Sequence, residues 1–225
     1  MKLLGLETSA AVGSVAIETP QGVVAAEIAT PREQTEQILS LVDRLLAEAG
    51  VTLGELDGIA FGRGPGSFTG LRVSVAVAQG LAAVSGVPLL PVSSLVCLAQ
   101  RGWRERGCER ALVCVDAHMG EVYWAETHLV DGRAELLDAE RLCAPAEVVP
   151  TAPAGWSALG GAFASQADAL KGVAAGAAGV HADLVPSARD LFPRAKQALA
   201  EGRAVAATAA RPVYLREQTA WRRQS

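Results

Sequence analysis

Two periodicities alternate along this chain. Residues 31–49 repeat apolar side chains every three to four positions, through Ile38, Leu39, Leu41, Val42, Leu45, Leu46 and Ala49. That is the stripe of an amphipathic helix, opened by Pro31 and closed by Gly50. Ahead of it, apolar runs at 2–7, 12–18 and 23–29 are separated by the turn residues 8–11 and 20–22. Their spacing predicts an antiparallel meander. A strand at 57–61 runs into GRGPGSFTGLR (62–72), and a helix follows to Gly86-Val87-Pro88. Residues 89–92 read as a brief strand, and Ser93 or Ser94 caps a helix to about 106.

The pattern then restarts. Runs at 110–116, 121–128 and 134–142 again predict three strands, with Asp131-Gly132 as a hairpin turn. LLGLETSAAVGSVAI and ALVCVDAHMGEVYWA share one order: buried strand, acid (Glu7 or Asp116), turn, glycine (Gly13 or Gly120), second strand. This predicts an internally duplicated α/β chain in two lobes, 1–106 and 107–225. Beyond the repeat the signal weakens. It predicts a short helix at 145–149, a strand at 156–159 and helices at 160–170 and 188–201. Residues 171–179 read as loose and 211–215 as extended. The end, with Trp221, Arg222 and Arg223, is either a frayed terminus or a contact for a partner or RNA.

The helix after the glycine-rich loop is the least amphipathic segment. Val73, Val77, Gly80 and Val84 lie on one side, and Leu71, Val75, Ala78 and Ala82 on another. A helix apolar all round is covered all round. It is either a central core helix, or it packs on its own sheet with one side and on a second chain with the other. The loop itself holds Gly62, Arg63, Gly64, Pro65, Gly66, Ser67, Thr69 and Gly70. Its glycines permit close backbone approach, and Ser67 or Thr69 can cap the helix. Such a loop is a candidate anion site, but it carries neither the Walker pattern nor GxGxxG.

Composition narrows the function classes. Half of the 225 residues are hydrophobic, only 4% are aromatic, and the net charge is −4. That disfavours sequence-independent binding of nucleic acid by this chain alone. No run reaches about 18 apolar residues without polar interruption, and the N-terminus does not read as a secretory signal. Cys97, Cys108, Cys114 and Cys143 lack CxxC spacing, which suits free thiols in a reducing cytosol. His118, His128 and His181 form no metal-binding pair, so no metal site and no catalytic residue is expected. Glu7, Thr8, Ser9 and Asp116 stand where duplicated nucleotide-binding folds place phosphates and metal-holding acids. No GxSxG elbow or triad is present.

Several of these motifs occur together in one order. LGLETS (4–9), PREQTEQIL (31–39), GRGPGSFTGLR (62–72), DAHMGEVYWAE (116–126) and PVYLR (212–216) resemble the TsaB (YeaZ) family over nearly the whole chain. The resemblance implies a duplicated actin-like, sugar-kinase-like (ribonuclease H-like, ASKHA) ATPase fold with two lobes. It implies a non-catalytic, cytoplasmic subunit acting with TsaD and the small ATPase TsaE in forming threonylcarbamoyladenosine at position 37 of tRNAs that read codons beginning with A. The alternatives are an ATP-dependent enzyme of the sugar-kinase-like superfamily or a degenerate glycoprotease-like homologue. The resemblance places the TsaD contact on the helices at about 32–49 and 68–85. That nominates Ile38, Leu41, Val42, Leu45, Leu71, Val73, Val75, Val77, Ala78 and Ala82. A homodimer would use the same surface, and tRNA would be met through the complex. A vestigial nucleotide site is nominated at Glu7, Thr8, Ser9 and Asp116, with ATP or ADP bound through the assembled complex. Glu7 stands where the fold usually has Asp.

Overall fold

The computed structural model describes residues 1–152 and 154–216. The described residues form two compact units, one of residues 1–97 and 186–212, the other of 98–185 and 213–216. The first is a five-stranded sheet in the order β3-β2-β1-β4-β5. Its strands are β1 (Leu3–Glu7), β2 (Gly13–Thr19), β3 (Gly22–Ile28), β4 (Gly58–Gly62) and β5 (Leu89–Val92). The β1–β2 and β2–β3 pairs are antiparallel, and β1–β4 and β4–β5 are parallel.

Side-chain alternation decides what covers each face of this sheet. Leu4, Leu6, Val15, Ile17, Ile59 and Phe61 form one core with α1 (Pro31–Ala49) and α2 (Phe68–Ser85). Leu3, Ala16, Ala60 and Leu90 form the other with Leu191, Phe192, Ala195 and Ala198. The 3₁₀ turn Ala188–Leu191 approaches so closely that a β-carbon on Gly5 would stand 2.6 Å from the Ala188 carbonyl oxygen. Ser14 Oγ accepts from Ala188 N at 2.8 Å. The boundary drawn from sequence at 106/107 therefore differs from the structural division. The second core needs residues 186–212, which carry a helix onto the first sheet, and local periodicity cannot report that long-range return.

Local chemistry sets the ends of α1. Thr30 caps it, its hydroxyl accepting from Glu33 N while donating to the Glu33 carboxylate. Gly50 closes it in the left-handed region at φ 64°. α2 has the length and apolarity of a membrane-spanning helix, yet its inner side is packed. Leu71, Val75, Ala78 and Ala82 are buried. Ser74 Oγ donates to Gly62 O at 3.2 Å, and Gln79 Nε2 donates to Ala207 O and Ala210 O.

The second unit starts within α3 (Ser94–Arg106), whose first turn belongs to the first unit. Its strands are β6 (Arg110–Asp116), β7 (Val122–Val130), β8 (Arg133–Leu136), β9 (Arg141–Cys143), β10 (Ser157–Leu159) and β11 (Val180–His181). The sheet order is β11-β10-β6-β7-β8, with β9 also on β7. The β6–β7 and β7–β8 pairs are antiparallel; β6–β10 and β10–β11 are parallel. This repeats the first sheet strand for strand, so the duplication read from the two hairpins holds, and the fold is the duplicated actin-like, sugar-kinase-like α/β fold. The copies differ in their helices. The second unit has a 3₁₀ turn (Pro145–Glu147) in place of α1, and the short α4 (Ala162–Ser165) and α5 (Ala167–Ala174) in place of α2. The expected strand at 134–142 divides into β8 and β9. The expected helix at 188–201 becomes the 3₁₀ turn followed by α6 (Phe192–Ala200). The stretch 171–179 read as loose begins inside α5, which runs on to Ala174, and β11 follows it, too short to leave a period.

Candidate functional site

The glycine-rich loop and the β1–β2 turn are built against each other. A β-carbon on Gly62 would overlap the Glu7 carboxylate, one on Gly70 would overlap the Thr8 carbonyl, and one on Gly66 would stand 2.6 Å from Ser9 O. These three glycines exist because the turn lies on them. Gly64 serves the bend itself, at φ 98° before the cis Gly64–Pro65 bond. Arg63 N donates to Val92 O, fixing the loop's start to β5. Ser67 caps α2, accepting from Gly70 N at 3.3 Å, while Thr69 is exposed.

Glu7, at the end of β1, is fully buried. One carboxylate oxygen accepts from Ser9 N at 2.7 Å, and the other from Ser94 Oγ at 3.0 Å. Burial pushes its pKa up, and the hydrogen bonds from Ser9, Ser94 and Thr8 oppose this. Thr8 and Ser9 are buried as well; Thr8 Oγ1 donates to Gly70 O at 2.6 Å, and Ser9 O accepts from Ser67 N at 2.8 Å. These groups do not fit a phosphate or a metal-bound nucleotide, because their polar atoms are turned inward and engaged within the unit. Asp116 lies in the other unit, half-buried, and accepts from His118 N at 2.7 Å. Among the described residues no group of three His, Cys, Asp or Glu side chains is arranged to hold a metal ion.

The helix-face nominations divide sharply. Ile38, Leu41, Val42, Leu45, Leu71, Val75, Ala78 and Ala82 are buried within the first unit and are not available to a second chain. The stripe of α1 and the Leu71 side of α2 are the faces turned to the unit's own sheet. Val73 and Val77 are part-exposed and pack at the edge of that core. The outward side of α2 carries Phe68 (52% exposed), Ala76, Gly80, Ala83 and Val84 (81%), with Val73, Val77 and Leu81 beside them. Leu39 on α1 is 54% exposed. The charge on this side of α2 is Arg72, whose guanidinium lies over the Phe68 ring at 3.6 Å. Nothing lies within 4 Å of where a β-carbon on Gly80 would be. A mid-helix glycine costs up to about 1 kcal/mol against alanine, and no neighbour in this unit requires one there.

Sequence reasoning passed over some functional candidates. Gln34 sits one helical turn before Ile38, in line with the buried stripe, and is itself buried; its position in the 3.6 period was the available signal. In the second unit, the turn His118–Met119–Gly120 is left-handed throughout, at φ 60°, 56° and 76°. Arg216, from the PVYLR motif, braces it by pairing with Glu121 and donating to Ala117 O at 2.9 Å. The tail with Trp221, Arg222 and Arg223 lies outside the described residues.

Comparison with known proteins agrees with this architecture. A family model described as TsaD, tRNA N6-adenosine threonylcarbamoyltransferase, matches residues 9–221. The tRNA threonylcarbamoyladenosine biosynthesis protein TsaB of Escherichia coli K12 is 37% identical, over 99% of this chain and 98% of the relative. A tRNA N6-adenosine threonylcarbamoyltransferase of Cereibacter sphaeroides is 46% identical, but over only 37% of this chain and 23% of its own length. The solved structure of YeaZ from Pseudomonas aeruginosa superposes with a TM-score of 0.88 at 40% identity, covering 95% of this chain and 99% of that one. Full-length similarity at this level, on the same fold, places this chain in the TsaB (YeaZ) family.

Proposed function

We propose that this chain serves tRNA threonylcarbamoyladenosine biosynthesis as a non-catalytic subunit that docks onto the threonylcarbamoyltransferase TsaD through the outward side of α2. The carrying observation is that side itself: Phe68, Val73, Val77, Leu81 and Val84 with the small Ala76, Gly80 and Ala83, and Arg72 as its charged residue. Apolar surface is stable when another apolar surface covers it, and a glycine with open space above it admits a close backbone. The name of the Escherichia coli relative supports the pathway. The inward-turned Glu7, Thr8 and Ser9 support a role without chemistry at that turn. In this reading TsaE joins the assembly, ATP or ADP is bound through the complex, tRNA is met through TsaD, and the work is done in the cytoplasm. In isolation a second copy of this chain covers the same side, so homodimer and heterodimer compete.

The test is calorimetric titration of TsaD with the wild-type chain, Val77→Asp and Val84→Asp. A charge left unpaired in a desolvated interface costs on the order of several kcal/mol, so both variants should stay folded and lose binding. Wild-type affinity in both would remove α2 as the docking element.

A further inference from the structure

The β1–β2 turn is bonded to the start of α1 and to the start of the docking helix α2. From α1, the Gln34 side-chain amide donates to Ala10 O at 3.1 Å and Ala11 O at 3.0 Å. From α2, Gly70 O accepts from Thr8 Oγ1, and Ser67 N donates to Ser9 O. Gln34 is 1% exposed, and its aliphatic stem fills the place of a side chain on Gly13. A β-carbon there would stand 2.7 Å from Gln34 Cγ.

Apolar contacts hold α1 and α2 on the sheet but are non-directional and tolerate rotation and sliding. Hydrogen bonds are directional, and two bonds from one amide to successive carbonyls fix both the rotation and the axial position of the first turns of α1. We infer that Gln34 is a positioning residue for the docking surface, keeping the start of α1 in register with the start of α2 through the turn at 8–12. The inference rests on the docking role proposed above. The outward residues it would align are Leu39, one turn along α1, and Phe68, at the start of α2. Folding depends on these bonds less than docking does. Ala11 is exposed and Ala10 half-buried, so water can take over their carbonyls when the amide is lost.

The experiment uses Gln34→Leu, which keeps bulk and removes both donors, and Gly13→Ala, which displaces the same amide. With TsaD as the titrant, at a temperature where circular dichroism shows full folding, each variant should bind roughly tenfold more weakly. The double variant should lose no more than either alone, because both break one link. Amide exchange in the free protein should quicken at residues 32–36 and also at 68–71. Wild-type affinity in both variants, with Val84→Asp still abolishing binding, overturns the positioning role and leaves docking intact. Faster exchange confined to α1 overturns it too. Retained binding in Val84→Asp overturns the docking reading and this inference with it. Should Gln34→Leu not fold, Gly13→Ala alone decides between these outcomes.

Discussion

The carboxylate of Glu7 occupies the space that a β-carbon on Gly62 would need. The end of β1 and the end of β4 thereby specify each other. Gly62→Ala should destabilise the protein by about 1–3 kcal/mol, the usual cost of overpacking a tight site. Glu7→Asp withdraws the carboxylate by one methylene, so the Glu7→Asp, Gly62→Ala double variant should regain part of that loss. Urea unfolding of the single and double variants measures it, and additive losses would contradict the pairing.

The same burial makes stability depend on pH. Burial raises the folded-state pKa of Glu7 above its ordinary value of 4.5, so the folded protein holds this proton more tightly than the unfolded chain. The sign follows by linkage: the contribution is full below the unfolded pKa and is lost as pH rises through the folded one. Glu7→Gln keeps the shape and cannot ionise. Its unfolding free energy should fall less than that of wild type as pH rises from 4.5. Parallel profiles for the two proteins would show that the carboxyl is not held in its neutral form.

Val75 and Val77 are two residues apart on α2 and should behave as opposites. Val75 is 5% exposed and packs in the core, whereas Val77 sits at its rim. Asp at 75 buries an unpaired charge and should cost several kcal/mol of folding stability, on the order expected for such groups. Asp at 77 should leave the midpoint of thermal unfolding near that of wild type. Equal destabilisation would mean that α2 is rotated from the orientation described.

Gly80 separates stability from docking. Alanine there meets nothing within 4 Å and improves helix propensity, so Gly80→Ala should stabilise the isolated chain by up to about 1 kcal/mol. The added methyl should weaken TsaD binding if a backbone packs closely over this position. Thermal unfolding and calorimetry on the same variant give both readings, and a gain in both stability and affinity would contradict close packing at Gly80.

Much of this was legible from sequence. The α1 stripe from Ile38 to Ala49, its Gly50 stop and the repeated strand–acid–turn–strand units are local patterns, and the elements followed them. The direction in which a helix faces is not local. A stripe says that Leu41, Val42 and Leu45 are covered, but not whether by this chain or another, and the sheet claims them. The outward side of α2 was hidden because small and apolar residues lie on both of its sides, leaving no polar face to mark solvent. Glu7 looked like a ligand-binding acid because its place in the fold is visible in sequence. Its inward turn depends on Gly62 and Ser94, 55 and 87 residues away.

The most direct measurement of the central claim is threonylcarbamoylation of tRNA by TsaD and TsaE with the wild-type chain, with Val84→Asp, and with neither. The docking account predicts modification with wild type, little or none without the chain, and the same loss with Val84→Asp although that variant is folded. Full modification with Val84→Asp, or without the chain at all, would contradict it.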